Sequence, residues 1–385
     1  MRGLLSAAVC WCALAGAAQA LEVRFYPDGP LYTYELDAPR AVRGLVIQNI
    51  AIINDGEAAI SLGTVTIDLM AGERLLDRRT LGEPELASFA RGGAQMQAAG
   101  MIEGLRFQFG GTDLLPAGTR LSDDLSLEPG EAIIVPAQTF AFRGTRDAIR
   151  VTANGAEAQA EARIALSTGG TTQTAFAFPL EGRWWLGAGP SMHSHHRWAV
   201  MEEFAFDFVQ LGADNSSHRG EGLRFRDYYA YGQPVQAAAA GEVIAAVNDV
   251  AEDASAMRQR GESVEAYFER LQQDQMARIA QGERGVLGNY VIIDHGNSEY
   301  SVYAHLRPGS VRVQQGARVT MGQRIGAVGS SGNSTEPHLH FHVCNGPEPL
   351  GCAGIPVRWT NLDFGLDDPP RAPQTGDFLR GGEAP

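Results

Sequence analysis

Lysine is missing altogether: all 31 basic residues of this 385-residue chain are arginine. That excludes chemistry that needs a lysine amine, namely Schiff bases, a P-loop, and biotinyl or lipoyl attachment. Positive charge is also in short supply. Forty-five acidic residues leave a net charge of −14, which argues against nucleic acid as a partner, since phosphate binding needs clustered positive charge. Histidine is absent from the first half; all nine lie between His193 and His342. Imidazole chemistry is thereby confined to the second half. Beyond residue 20 no apolar run approaches bilayer-spanning length, so the chain is not expected to span a membrane.

Cysteine is nearly absent too. Two of the four, Cys10 and Cys12, fall in the first 20 residues, MRGLLSAAVCWCALAGAAQA. There one Arg precedes an apolar run from Leu4 to about Ala15, and Ala18-Gln19-Ala20 supplies small residues for cleavage. This predicts a secretory signal peptide (1–20), a mature chain from Leu21, and a periplasmic or extracellular location. The remaining pair, Cys344 and Cys352, brackets the turn-rich CNGPEPLGC. In an oxidising compartment the spacing predicts a disulfide; as zinc ligands the two thiolates alone would be half a structural site.

What is present is ordinary globular material, 44% hydrophobic and 20% charged, of a length that suits two or three domains. From Leu21 to about Ser167 the pattern is all-β. Thr64–Leu69 alternates polar and apolar, Asn54-Asp55-Gly56 is a hairpin-type turn signal, and strands are expected at 132–135, 139–142 and 148–152. The spacing predicts an immunoglobulin-like β-sandwich over 21–167, read as a spacer or binding module. A polar linker at 167–174 leads to a second, mainly β domain (175–361), predicted as an antiparallel β-sheet. Within it, residues 250–287 form an insertion. There Val264, Tyr267, Phe268 and Leu271 share one helical face, and Gly282 is a stop signal. The Pro/Gly-rich stretch 367–385 is expected to be a disordered tail.

The strongest chemical signal is Pro337-His338-Leu339-His340-Phe341-His342-Val343. On a strand the three His share one face and the apolar residues the other, with same-face neighbours about 6.5–7 Å apart. That spacing suits one metal ligand beside one His acting on what the metal holds. Asp207, in Phe204-Ala205-Phe206-Asp207-Phe208, offers a carboxylate opposite an all-Phe face. Such a carboxylate is costly to bury unless paired or metal-bound. His193-Ser194-His195-His196-Arg197 offers further imidazoles, and Tyr303-Ala304-His305-Leu306 ends a strand.

The run NYVIIDHG, YSVYAHL and GARVTMGQRIGAVGSSGNSTEPHLHFHV, with GQPVQA and GEV upstream, resembles the catalytic core of the lysostaphin-type (LytM-like) zinc endopeptidases. The resemblance spans roughly residues 195–345. It implies one zinc ion per chain, held by Asp207, His340 and a first-motif histidine, with His305 and His338 as catalytic histidines. The family's first motif is HxxxD, yet Glu203 stands four residues before Asp207. His196, beside Arg197, is therefore preferred as first ligand over His195, with a loop inserted between ligand and carboxylate. His342 is extra to the pattern, structural or substrate-facing; His295 reads as a strand-end residue, and His218 and His193 as surface.

By the same resemblance the substrate is the peptide cross-links of peptidoglycan. Two neutral imidazoles and one carboxylate leave zinc with net positive charge, which lowers the pKa of its bound water toward about 7. That water attacks the carbonyl while two histidines assist. Two other classes stay open. One is a catalytically impaired regulator that activates a cell-wall amidase. The other is a binding module whose N-terminal domain engages a cell-envelope protein.

Overall fold

The computed structural model describes residues 21–156, 158–364 and 371–381; the proposed leader lies outside them. The N-terminal region is built on two sheets. The first pairs β1 (Glu22–Tyr26) and β5 (Glu131–Arg143) on either side of β2 (Val42–Ile53). The second runs in the order β7 (Gln159–Ser167), β6 (Ala148–Gly155), β3 (Ile60–Ala71) and β4 (Arg74–Leu81), each pair antiparallel. Ile47, Ile50 and Ile52 from one sheet meet Val65, Ile67, Ile149 and Val151 from the other in one core. Asn54-Asp55-Gly56 therefore carries the chain between sheets rather than closing a hairpin.

Strand β2 reads as an unbroken apolar run because both its faces are covered. Ala51 and Ile53 point away from the sandwich interior, into a second core with Ile102, Leu105, Phe109 and Leu114. Those residues follow α1 (Glu83–Ala98), a helix the all-β expectation omitted. Its start signals were present, with a proline in the first turn beside Glu83 and Glu85. Only Leu86, Ala90 and Gly93 along it are buried, too sparse a stripe for the apolar period to register.

The second domain centres on a nine-stranded antiparallel sheet. Its interior strands are, in order, β10 (Gly241–Ala246), β11 (Asn289–Asp294), β12 (Tyr300–Leu306), β13 (Leu339–Cys344), β9 (Phe206–Val209), β8 (Arg183–Ala188) and β14 (Phe378–Gly381). One face is a hydrophobic core of Phe206, Phe208, Val291, Ile293, Tyr303, Leu339, Phe341 and Val343. Burying that face turns the alternate residues of β9 and β13 to the other. The face carrying Asp207 and the histidines is therefore set by the apolar pattern.

Three expectations need correction. The tail is ordered over 371–381, where β14 adds to β8 by pairing Trp184 with Leu379; the buried Leu379 anchors a segment whose composition suggested disorder. Phe204 does not share the face of Phe206 and Phe208, because β9 begins only at Phe206. Phe204 packs instead on Tyr34 and Val46 of the sandwich. In the insertion, α2 (Val264–Ile279) forms as the periodicity suggested, but Phe268 is 59% exposed rather than buried. Residues of the 167–174 linker are pinned as well, the amides of Gln173 and Thr174 donating to the Glu299 carboxylate. The Cys344–Cys352 disulfide is formed, with Cα atoms 5.7 Å apart. Among the described residues no helix is long and apolar enough to cross a membrane.

Candidate metal centre

Strand pairing delivers the first contacts. In the β9–β13 ladder Asp207 sits directly opposite His340, and in the β12–β13 ladder Ala304 sits opposite His340. Directly opposed residues of an antiparallel pair point to the same face. Asp207 Oδ1 accordingly lies 3.0 Å from His340 Nδ1 and 3.5 Å from His338 Nε2. His305 follows Ala304 at the strand end, its ring centroid 4.8 Å from that of His338 and 5.7 Å from that of His340.

The third donor arrives from a loop. His195–Trp198 form one 3-10 turn, capped by Ser194, whose Oγ accepts from the His196 amide at 3.3 Å. His196 Nε2 comes within 3.1 Å of Asp207 Oδ2, and its ring centroid lies 5.2 Å from that of His340. His195 is also near, at 3.8 Å from the same oxygen, but its side chain is 72% exposed against 2% for His196. The ligand atoms of His195, His196 and Asp207 all fall within 4.8 Å of one another. Sequence-predicted His196, Asp207, His305, His338 and His340 are thus all brought together.

The tautomers of the two remaining histidines can be argued from their partners. A carbonyl oxygen only accepts, so a ring nitrogen facing one must carry its proton. His305 Nδ1 donates to the Ser331 carbonyl at 2.9 Å, and His338 Nδ1 to the Glu336 carbonyl at 2.8 Å. In the neutral ring each therefore keeps Nε2 as a base. His305 is held with φ of +59°, a left-handed conformation that costs a non-glycine residue roughly 1–2 kcal/mol. Such strain persists only where the surroundings over-determine it.

Burial and mutual repulsion set the charges. Loss of hydration, then the neighbouring His338 and His340, holds His305 well below the usual imidazole range. His342 is depressed well below it by burial and by His340. Burial alone would raise the Asp207 carboxyl; the charges of His196 and His338, and hydrogen bonds from His196 and His340, hold it well below its usual range. For His196 the effect of burial is outweighed by Asp207, which raises its pKa.

Two further groups surround His340. His342, expected to be structural or substrate-facing, is 1% exposed, and its Nδ1 lies 2.9 Å from His340 Nε2, so it buttresses a candidate ligand. Its own Nε2 has no hydrogen-bond partner among the described residues. Glu202 Oε1 stands 3.9 Å from His340 Nε2. Elsewhere, His218 is half-buried against Tyr228 rather than on the surface. His295 bridges the Ala240 carbonyl and the Ser301 hydroxyl. His342 also lies close to Cys344 and Cys352, but those sulfurs are committed to the disulfide.

His196, Asp207 and His340 supply two nitrogens and one oxygen from buried or half-buried side chains. This is a three-donor set of the kind that catalytic zinc sites use. The residues fit such an ion.

Comparison with known proteins gives a match of residues 218–351 to the family model described as Peptidase family M23. The peptidoglycan DD-endopeptidase ShyA of Vibrio cholerae is 42% identical over 72 residues, 18% of this chain and 16% of that protein. The DD-carboxypeptidase/endopeptidase Mpg of Neisseria meningitidis is 41% identical over 82 residues, 21% of this chain and 18% of that protein. The chain thus spans less than a fifth of the length of these curated relatives. Among solved structures, lysostaphin from Staphylococcus simulans aligns with 48% of this chain and 52% of its own, at 18% identity and a TM-score of 0.26. His305, His338 and His340 fall inside the family match; His196 and Asp207 precede it.

Proposed function

Since residues 218–351 match the model of Peptidase family M23, we propose that this chain is an exported zinc metalloendopeptidase that hydrolyses peptide cross-links in peptidoglycan. One observation carries the reading: His196 and Asp207, which lie outside the family match, converge on His340 within it. A chance cluster would have no reason to complete a donor set across that boundary. The printed activities of ShyA and Mpg support peptidoglycan as substrate. Residues 1–20 and the Cys344–Cys352 disulfide support an oxidising compartment outside the cytoplasm.

In this reading His196, Asp207 and His340 hold zinc. When bound, zinc supplies Lewis acidity toward a peptide carbonyl and lowers the pKa of water. The chain's own residues do the rest. His305, neutral at pH 7, accepts a proton at Nε2 while the Ser331 carbonyl keeps its ring oriented. His338, held by the Glu336 carbonyl, presents its Nε2 3.5 Å from Asp207 Oδ1. One of the two takes the proton from attacking water, and the other serves the oxyanion and the leaving amine. His342 fixes the orientation of His340 by engaging its second nitrogen. A regulator with a broken donor set is disfavoured, because His196 takes the place that Glu203 leaves vacant in the family's motif.

The test is incubation of the mature chain with purified sacculi, with and without chelator, followed by muropeptide analysis. Loss of cross-linked dimers only in the absence of chelator is the expected result. Unchanged dimers under both conditions, with zinc bound, would refute the peptidase assignment.

A further inference from the structure

The segment from Met192 to Phe204 joins the His196 turn to the strand of Asp207, and it runs along the sandwich. Its regular structure amounts to two short 3-10 turns, His195–Trp198 and Val200–Glu202. Such a segment has little rigidity of its own. The second domain holds its middle, where the Gly354 amide donates to the Val200 carbonyl and Ala199 and Met201 pack with Cys344 and Cys352; at its two ends the contacts come from the N-terminal domain. The Gln48 side-chain amide donates to the carbonyl of Arg197, the residue after His196. The Tyr34 hydroxyl donates to Glu203 Oε1 at 3.0 Å. The Tyr34 and Phe204 rings sit 4.9 Å apart, in one buried cluster with Val46. Val200 inserts into the core beneath Ala51, Ile53 and Ile134. At Gly44 a Cβ would lie 2.1 Å from Met192 Sδ, so the missing side chain makes room for the segment.

These contacts are internal. Tyr34, Gln48 and Glu203 are 2%, 4% and 7% exposed. A buried carboxyl needs hydrogen-bond partners, and the Tyr34 hydroxyl that donates to Glu203 belongs to the sandwich. Glu203 stands four residues before Asp207, so the contact with Tyr34 lies one strand entry away from the carboxylate of the site.

We propose that the sandwich is a positioning element for the metal centre: Tyr34 and Gln48, acting through Glu203 and the Arg197 carbonyl, hold His196 against Asp207. The inference rests on the metal reading of the site and goes beyond it. A ligand carried on a loose eleven-residue excursion must be ordered when the ion binds; held in advance by the sandwich, it no longer carries that entropic penalty. The N-terminal domain then sets the affinity of a site to which it contributes no ligand. Tyr34 and Gln48 are positioning residues, since neither reaches the donors themselves.

The experiment uses the full mature chain, Tyr34→Phe, Gln48→Leu and Glu203→Gln. Zinc affinity is read by competition with a chelating dye, ligand geometry by the visible absorption of the cobalt-loaded protein, and folding by thermal melting. Tyr34→Phe and Gln48→Leu should weaken zinc by roughly 10–100-fold, the range for residues that orient a ligand, and alter the cobalt spectrum. Glu203→Gln keeps an acceptor for Tyr34 and should retain wild-type affinity. Tyr34→Phe preserves the ring packing on Phe204, so it remains informative should Gln48→Leu fail to fold. Folded Tyr34→Phe protein with wild-type zinc affinity and cobalt spectrum would overturn the proposal. A wild-type chain that takes up neither zinc nor cobalt would instead refute the metal reading itself, and the proposal with it.

Discussion

Replacing Glu203 by glutamine should stabilise the protein at alkaline pH and leave it unchanged in acid. Complete burial raises the Glu203 carboxyl from 4.5 to about 7, against the opposing hydrogen bonds from Gln48 and Tyr34. Between those values the native chain holds a proton that the unfolded chain has released. The stability that Glu203 contributes is therefore greatest below pH 4.5 and falls as pH rises toward 7, where the native carboxyl finally ionises. At 1.36 kcal/mol per pH unit the loss comes to about 3 kcal/mol. Glutamine has the same shape and no proton to lose. Comparing the two proteins at each pH cancels every group they share, so the difference isolates residue 203. For a chain of this length about 3 kcal/mol corresponds to roughly 4 °C in melting temperature. Calorimetric scans at pH 4 and pH 8 would measure it: no difference in acid, the glutamine variant more stable in alkali. A gain of equal size at both pH values, or a wild type more stable at pH 8, would refute the reasoning.

His305→Ala and His338→Ala should each retain one zinc per chain by elemental analysis while turnover on cross-linked muropeptides falls by about 10²–10⁴-fold. Asp207→Ala and His340→Ala should lose the metal itself, and detection of stoichiometric zinc in either would contradict the donor set. His342→Ala leaves His340 Nε2 without its partner; a competition titration should show zinc bound roughly 10–100-fold more weakly. Breaking the Cys344–Cys352 bridge, which spans eight positions, should cost about 2–3 kcal/mol from loop-closure entropy. The check is denaturant unfolding of Cys352→Ser against wild type.

Local pattern made the second domain legible. Strands β11, β12 and β13 form as the expected antiparallel sheet requires, because their pattern is imposed by one buried face. The same alternation places Asp207 and His340 together, since each sits between residues committed to the core. Helix α1 and the ordered tail escaped for complementary reasons. In α1 the apolar stripe is thin; in the tail a single buried Leu379, held by pairing to β8, outweighs a composition typical of disorder. The start signals of α1 are local, but in neither case does the packing that decides the outcome lie within a short window.

His342 and Glu203 show where local reading ends. Nothing in HLHFH distinguishes a histidine that faces substrate from one that braces its neighbour; that depends on what covers the far end of β13, where Cys344 and Cys352 close a turn. At Glu203 the departure is deeper. A motif with ligand and carboxylate four residues apart fixes both through local backbone geometry. Here His196 lies eleven residues from Asp207, and no local geometry fixes an excursion of that length. In the proposed reading the spacing is enforced by tertiary contact, part of it from Tyr34, Val46 and Gln48 in a domain that contains no histidine. On that proposal, removing the sandwich loosens the site. Residues 175–381 expressed alone, even if folded, should therefore bind zinc more weakly than the full chain.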